Sequence, residues 1–75
     1  MHSEVQVTIH QFAISVSPGD GISNGMMLTR KLLRLAGVKS EIYCIRPSEQ
    51  MAGDVLCMDD YKPGSADALL VHHGI

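Results

Sequence analysis

The chain opens with alternating apolar and polar positions. At the start of the segment VQVTIHQFA (residues 5–13), Val5, Val7 and Ile9 alternate with Gln6, Thr8 and His10. This period of two and the β-branched composition predict a β-strand. The alternation fails at Phe12, so we expect the strand to end near that residue. The proline and glycines of the following ISVSPGDG predict a loop.

Residues 22–36 follow the period of an α-helix. One half of its surface is polar, with Met27 as the exception, and the other half is apolar. This division predicts a leucine-rich face that packs on a sheet, with Leu32 and Leu33 holding the helix in place. Gly37 follows the last turn, where a C-cap glycine belongs. The residues of the apolar half are Ile22, Gly25, Met26, Leu28, Thr29, Leu32, Leu33, Leu35 and Ala36.

Three further segments predict strands. They are SEIYCI (residues 40–45), the short VLCM, and ALLVHH near the end of the chain. The unbroken apolar run ALLV is typical of a strand buried on both faces of a parallel sheet. Because a helix separates the first two strands, we expect them to pair in parallel. The order of elements predicts an α/β fold with a Rossmann-like, mostly parallel sheet.

Composition and charge narrow the class of protein. Seventy-five residues form one domain at most. The net charge is −2, and the chain has no zinc-finger, RNP-like or basic-region motif, so neither charge nor motif indicates nucleic-acid binding. No apolar run approaches the roughly 20 residues of a membrane span. The start of the chain lacks the features of a signal peptide, so we expect a cytoplasmic protein. Cys44 and Cys57 lie in apolar surroundings without a C-x-x-C pattern, which favours reduced, packed thiols.

Three features are expected at one edge of the sheet. They are the loop Gly19-Asp20-Gly21, the pair His10-Gln11 near the expected end of the first strand, and His72-His73-Gly74 after the last strand. In an open α/β sheet, ligands bind outside the carboxyl ends of the strands. The sequence therefore predicts a binding site where these three features converge.

The glycine loop has two interpretations. Glycines permit positive φ and close approach to the backbone, and the start of the helix behind them favours a phosphate group. Asp20, however, is negative and is itself suited to cap the helix. The spacing of Gly19, Gly21 and Gly25 also departs from G-x-G-x-x-G. A ligand loop and a helix cap both remain open.

The histidines do not predict a metal site. His72 and His73 are adjacent, so in a strand they point to opposite faces. No further ligands stand at zinc spacing. His10 lies on the polar side of the first strand, which favours an exposed or structural role. The acidic pair Asp59-Asp60 is expected in a solvated turn. We assign no catalytic residue and expect no cofactor.

The order of these segments resembles the N-terminus of family 4 glycosyltransferases. The resemblance rests on VTIHQF, on GDGISN opening a helix, on LLRLAGVKSEIYCI and on DDYKPGSADALLVHHGI, and it spans residues 5–74. It implies the GT-B fold, in which two Rossmann-like domains face each other across a cleft. The chain matches the first half of the N-terminal, acceptor-side domain. By position, the resemblance implies substrate-binding roles for Gly19, Asp20, Gly21 and Asn24, and for His72 or His73; glycine at 21 replaces the family's usual alanine.

The resemblance also implies a function. Such enzymes move a sugar from a nucleotide-sugar donor to an acceptor, and their C-terminal domain binds the donor. That domain has no counterpart in these 75 residues, so we expect a fragment that transfers no sugar alone. We expect it to bind nucleotide sugar and acceptor only as part of a complete enzyme or together with a separate C-terminal half. One alternative is a small Rossmann-like phosphate- or nucleotide-binding module. Another is a non-catalytic protein that meets a partner through Arg30, Lys31 and Arg34.

Overall fold

A computed structural model of the chain describes residues 6–16, 19, 21–51 and 53–73. This part of the chain forms four β-strands, one α-helix and two short 3₁₀ helices. In chain order they are β1 (Ile9–Val16), α1 (Gly21–Leu35), β2 (Ile42–Pro47), a 3₁₀ helix (Glu49–Met51), β3 (Leu56–Cys57), a second 3₁₀ helix (Met58–Asp60) and β4 (Ala68–Val71).

The four strands form one parallel sheet in the order β3-β2-β1-β4. Parallel neighbours need a crossover connection, and α1 supplies it between β1 and β2. The predicted α/β class with a Rossmann-like parallel sheet is confirmed. From β1 the chain moves outward through β2 to β3, and then returns to place β4 on the other side of β1. The order of the strands therefore reverses at β1.

Strand β1 is longer than the sequence pattern predicts. It continues to Val16, beyond the failure of alternation at Phe12. Residues 9–12 pair with β4 and residues 11–16 pair with β2. Backbone pairing with β2 sustains the strand after the alternation of its side chains has ended. His10 and Gln11 therefore lie near the amino end of β1, and their predicted position at its carboxyl end is wrong.

Asp67 fixes the start of β4 beside β1. Its Oδ2 accepts a hydrogen bond from the Thr8 N–H at 2.8 Å, and its own N–H donates to the Thr8 carbonyl at 2.8 Å. The ladder between the two strands begins at the next residue, Ala68, opposite Ile9. This reciprocal pair of bonds sets the register of β4, and so determines which residues of β1 the end of β4 reaches.

The core lies between α1 and one face of the sheet. Register partners on parallel strands project to the same face, so Ala13 of β1 shares this face with Ile42 and Cys44 of β2. Met26 from α1 packs against them. The buried cluster consists of Ala13, Val16, Met26, Ile42, Cys44, Met51 and Val55.

The leucine-rich face of α1 points away from this core. Leu28 and Leu32 are 57% and 56% exposed, whereas Met26 is 1% exposed. Leu33 is partly buried, and Leu35 is exposed. The prediction that Leu32 holds the helix on the sheet is therefore wrong, and Met26 has that position instead.

Polar contacts explain the rotation of α1. The Arg30 guanidinium donates to the carbonyl of Asp54. Arg34 donates through Nε to the Ser40 carbonyl at 3.0 Å and forms an ion pair with Glu41, with 3.2 Å between Nη2 and Oε1. These bonds hold the arginine side of the helix toward the protein. Because the leucines at i, i+4 and i+7 share the opposite side, they face outward.

The face of the sheet opposite α1 is uncovered near the carboxyl ends of the strands. Ile14, Ile45 and Val71 lie on it and are exposed. Within the described residues, nothing packs over them. Leu70, on the α1 side of the edge strand β4, is exposed as well. The predicted burial of ALLV on both faces is therefore wrong.

We expect Met26→Ala and Leu32→Ala to differ sharply in stability. Truncating a buried methionine costs about 2–5 kcal/mol, because it removes apolar contact and leaves a cavity. Exposed substitutions usually change stability by less than about 0.5 kcal/mol. Urea unfolding followed by far-UV circular dichroism measures both variants, which share the same helix. Equal losses in the two variants would contradict the observed rotation of α1.

Candidate functional site at the reversal of strand order

The reversal of strand order places the segments after β1 and β4 next to each other. In open α/β sheets a crevice forms at such a point, outside the carboxyl ends of the strands, and ligands bind there. Gly19 and Gly21 follow β1, and His72 and His73 follow β4. The topology thus brings together the two groups of residues that the sequence predicts as substrate-binding.

The glycine turn leads directly into α1. Gly19 has a φ of +80°, a left-handed conformation that favours glycine. Gly21 is the first residue of α1 and is exposed, and an added Cβ there would meet no atom within 4 Å. Asn24 is exposed in the first turn, while Asp20 lies outside the described residues. Gly21 therefore leaves space for a ligand beside the start of α1, and the choice between ligand loop and cap for Asp20 stays a prediction.

A buried glutamine connects α1 to the end of β4. Gln11 is fully buried; its Nε2 donates to the Met26 carbonyl at 3.0 Å, and its Oε1 lies 2.9 Å from Nε2 of His72. A backbone carbonyl only accepts, so the amide nitrogen must face Met26 and the amide oxygen must face His72. An amide oxygen also only accepts, so Nε2 of His72 carries the hydrogen. The neutral ring then has its lone pair on Nδ1, which is a hydrogen-bond acceptor.

The His72 side chain lies on the same face of the sheet as α1, because it bonds to Gln11, which in turn bonds to Met26 of that helix. Met26 is level with Gln11, and α1 begins five residues earlier, about 7.5 Å along a helix. The His72 N–H donates to the Phe12 carbonyl at 2.9 Å, about one strand residue (~3.3 Å) beyond Gln11. His72 therefore lies beside the first turns of α1.

The two histidines after β4 differ in their surroundings. His72 is partly buried and bonded to Gln11, whereas His73 is exposed. The sequence left open which of them faces the predicted crevice; the structure places His72 on the side of α1. The sequence pattern places Gln11 beside His10 and does not show that it supports His72. A signal was present, because Gln11 occupies the apolar row of the first strand, where a polar residue must find buried partners.

His10 belongs to a different surface, on the face of the sheet opposite α1. It is buried, with its Nδ1 accepting a hydrogen bond from the Glu41 N–H at 3.0 Å. Its ring packs edge-on against Tyr43 and Tyr61, with centroids 5.3 and 6.5 Å away. Of the two roles that the sequence favoured for His10, exposed or structural, the structure shows the structural one.

A cavity of about 320 Å³ lies over this histidine. Burial lowers the pKa of His10, an effect that Glu41 opposes and Lys39 reinforces. Burial also raises the pKa of Tyr43. Both rings are therefore neutral at pH 7. The cavity is lined by Thr8, His10, Lys39, Glu41, Tyr43, Leu56, Asp60, Lys62 and Ser65.

Comparison of the chain with protein-family models, with curated proteins and with solved structures found no match. In the part of the chain that the structure describes, no group of three or more histidine, cysteine or acidic residues is placed to hold a metal ion. No helix in that part has both the length and the apolar character of a membrane span.

We expect the chain to lose stability on acidification because of His10. Its pKa is lowered in the folded state, so below the ordinary value of 6.5 the unfolded state binds more protons. The free energy of unfolding therefore falls as the pH drops from 6.5 toward the lower folded pKa. His10→Asn should make this fall shallower, because the asparagine oxygen can replace Nδ1 as acceptor but does not titrate.

His73→Asn is the matched control for this experiment. His73 is exposed, so its replacement should leave the pH dependence unchanged. Urea unfolding of the three proteins between pH 7.5 and about 5 measures the effect. A fall that is equally steep in His10→Asn and in the parent would contradict a neutral, buried His10.

Proposed function

We propose that this chain provides the acceptor-side part of a glycosyltransferase of the GT-B fold. In this role it binds sugar and diphosphate groups at the reversal of strand order. The donor-binding domain of such enzymes is a separate domain, so the proposal assigns binding to this chain and assigns transfer to the complete enzyme. Nucleotide sugar and acceptor are the proposed ligands, and a cytoplasmic location is part of the same proposal.

The observation that supports the proposal most strongly is the Gln11 bridge between α1 and His72. It holds an imidazole acceptor beside a helix that opens on exposed glycine. The start of the helix and the imidazole ring are two different kinds of ligand-binding group, and the Gln11 bridge places them at one point of the sheet. The N–H groups at the start of a helix favour phosphate oxygens. A neutral Nδ1 accepts a hydrogen bond from a hydroxyl group, which sugars carry in abundance.

The proposed roles follow from these chemistries. Gly21, where an added Cβ would meet no atom within 4 Å, lets a diphosphate approach the start of α1 closely. The exposed amide of Asn24 is both donor and acceptor, and can bond to sugar hydroxyls or to phosphate oxygens. His72 accepts from a hydroxyl through Nδ1. Gly19, Asp20 and His73 complete the proposed set, with Gly19 needed for the left-handed turn.

A phosphate- or nucleotide-binding module is the second candidate function. The glycine-opened helix alone is suited to phosphate and does not require a sugar. The two functions differ in whether His72 takes part in binding. The third candidate, an interaction protein that uses Arg30, Lys31 and Arg34, is disfavoured because Arg30 and Arg34 bond to the chain itself.

We expect Gly21→Ala to weaken binding without weakening the fold. A Cβ at residue 21 meets no neighbour, and alanine is more favourable than glycine in a helix by about 1 kcal/mol. The same holds for Gly25, which is exposed in α1 and serves as the matched control. Amide NMR titrations with UDP-glucose, UDP and glucose 1-phosphate should shift residues 21–24 and His72 in the parent and in Gly25→Ala. In Gly21→Ala the shifts should be several-fold weaker at equal ligand concentration.

The pattern of shifts separates the candidates. Shifts at the start of α1 that are the same for UDP as for UDP-glucose, with His72 unmoved, would favour the phosphate module. Shifts confined to the cavity above His10, or no shift at millimolar ligand, would refute the proposed site. Equal loss of binding in Gly21→Ala and Gly25→Ala would show that the effect comes from the helix as a whole.

A further inference from the structure

The two cysteines of the chain lie opposite each other on neighbouring strands. Cys44 of β2 and Cys57 of β3 are register partners in the parallel ladder. Their side chains therefore project from the same face of the sheet. Cys44 is completely buried, whereas Cys57 is partly exposed. One cysteine of the pair is partly accessible to solvent, and its neighbour on β2 is buried.

The spacing of the strands suits a covalent bond between them. Neighbouring strands lie about 4.7–4.9 Å apart, within the Cα separation of about 4.4–6.8 Å that disulfides span. The Cys57 thiol donates to the Ile45 carbonyl, with 3.9 Å between sulfur and oxygen. The sulfur of Cys57 thus leans over β2, at the residue next to Cys44.

Strand β3 is short enough to adjust. It consists of Leu56 and Cys57, and its two register pairs are the ones with Tyr43 and Cys44. A 3₁₀ helix follows it at once. Side chains on neighbouring strands stand roughly parallel, so a disulfide requires the two Cβ atoms to move closer together. A two-residue strand can make this movement with little disturbance of the sheet.

We propose that Cys57 and Cys44 form a thiol–disulfide exchange site that reacts with a small-molecule disulfide of the glutathione type. The Cys57 thiolate attacks one sulfur of oxidised glutathione, forms a mixed disulfide and releases one glutathione thiolate. The Cys44 thiolate then attacks the Cys57 sulfur and releases the second glutathione. The products are one internal disulfide between β2 and β3 and two reduced glutathione molecules, so two electrons pass from the protein to the glutathione disulfide.

The test is to incubate the folded, reduced chain at micromolar concentration with oxidised glutathione and to measure its intact mass. We expect a monomer that is lighter by two hydrogen atoms. A non-reducing peptide map should show the Cys44 and Cys57 peptides linked. These readings use the unaltered chain, so they do not depend on a variant that folds.

Two variants test the order of attack. Cys44→Ala should stop at the mixed disulfide and keep one glutathionyl group on Cys57. Cys57→Ser should stay unmodified, because the buried Cys44 cannot meet glutathione. A parent chain that keeps a stable glutathionyl group, stays unreacted or forms only disulfide-linked dimers would overturn the proposal, as would rapid glutathionylation of Cys44 in Cys57→Ser.

Discussion

The buried amide of Gln11 is the interaction on which the candidate site depends. An unbonded amide in a protein interior costs roughly 1–3 kcal/mol, so both ends of this side chain must have partners. Its nitrogen bonds to the backbone of α1 and its oxygen to the ring of His72. One side chain thereby fixes the position of the helix against β1 and the orientation of the histidine after β4. This single residue connects the second turn of α1 to the segment that follows β4.

The sequence was sufficient to predict the fold class but not the side of the helix that packs. The β1-α1-β2 order and its parallel pairing follow from local periodicity and the crossover rule. The leucines of α1 gave the stronger periodic signal, yet Arg30 and Arg34 turn the other side inward by bonding to the Asp54 and Ser40 carbonyls. Periodicity measures apolar character alone, and bonds to backbone groups distant in the chain have no signature in it. Leu28, Leu32 and Leu35 are exposed because they lie on the side of α1 opposite these two arginines.

The candidate site was predicted in part. The carboxyl-edge rule points to the glycine turn and His72, which follow the two strands at the strand-order reversal, and their binding roles stay a prediction. It misplaced His10, because the end of β1 was inferred from the failure of alternation and not from pairing with β2. His10 and Gln11 are adjacent in sequence but project to opposite faces, so His10 lines a cavity beside Tyr43 and Gln11 supports His72. These two roles can be told apart only from the register of the sheet.

The tautomer of His72 tests the central claim most directly. Long-range ¹H–¹⁵N NMR at a pH where the ring is neutral reports which ring nitrogen carries the hydrogen. The account predicts that His72 is almost entirely in the Nε2–H form in the parent chain. In Gln11→Leu, where the accepting oxygen is gone, a mixture of tautomers should appear, while the exposed His73 should give the same signals in both proteins. A His72 that carries its hydrogen on Nδ1, or a tautomer population unchanged by Gln11→Leu, would contradict the account.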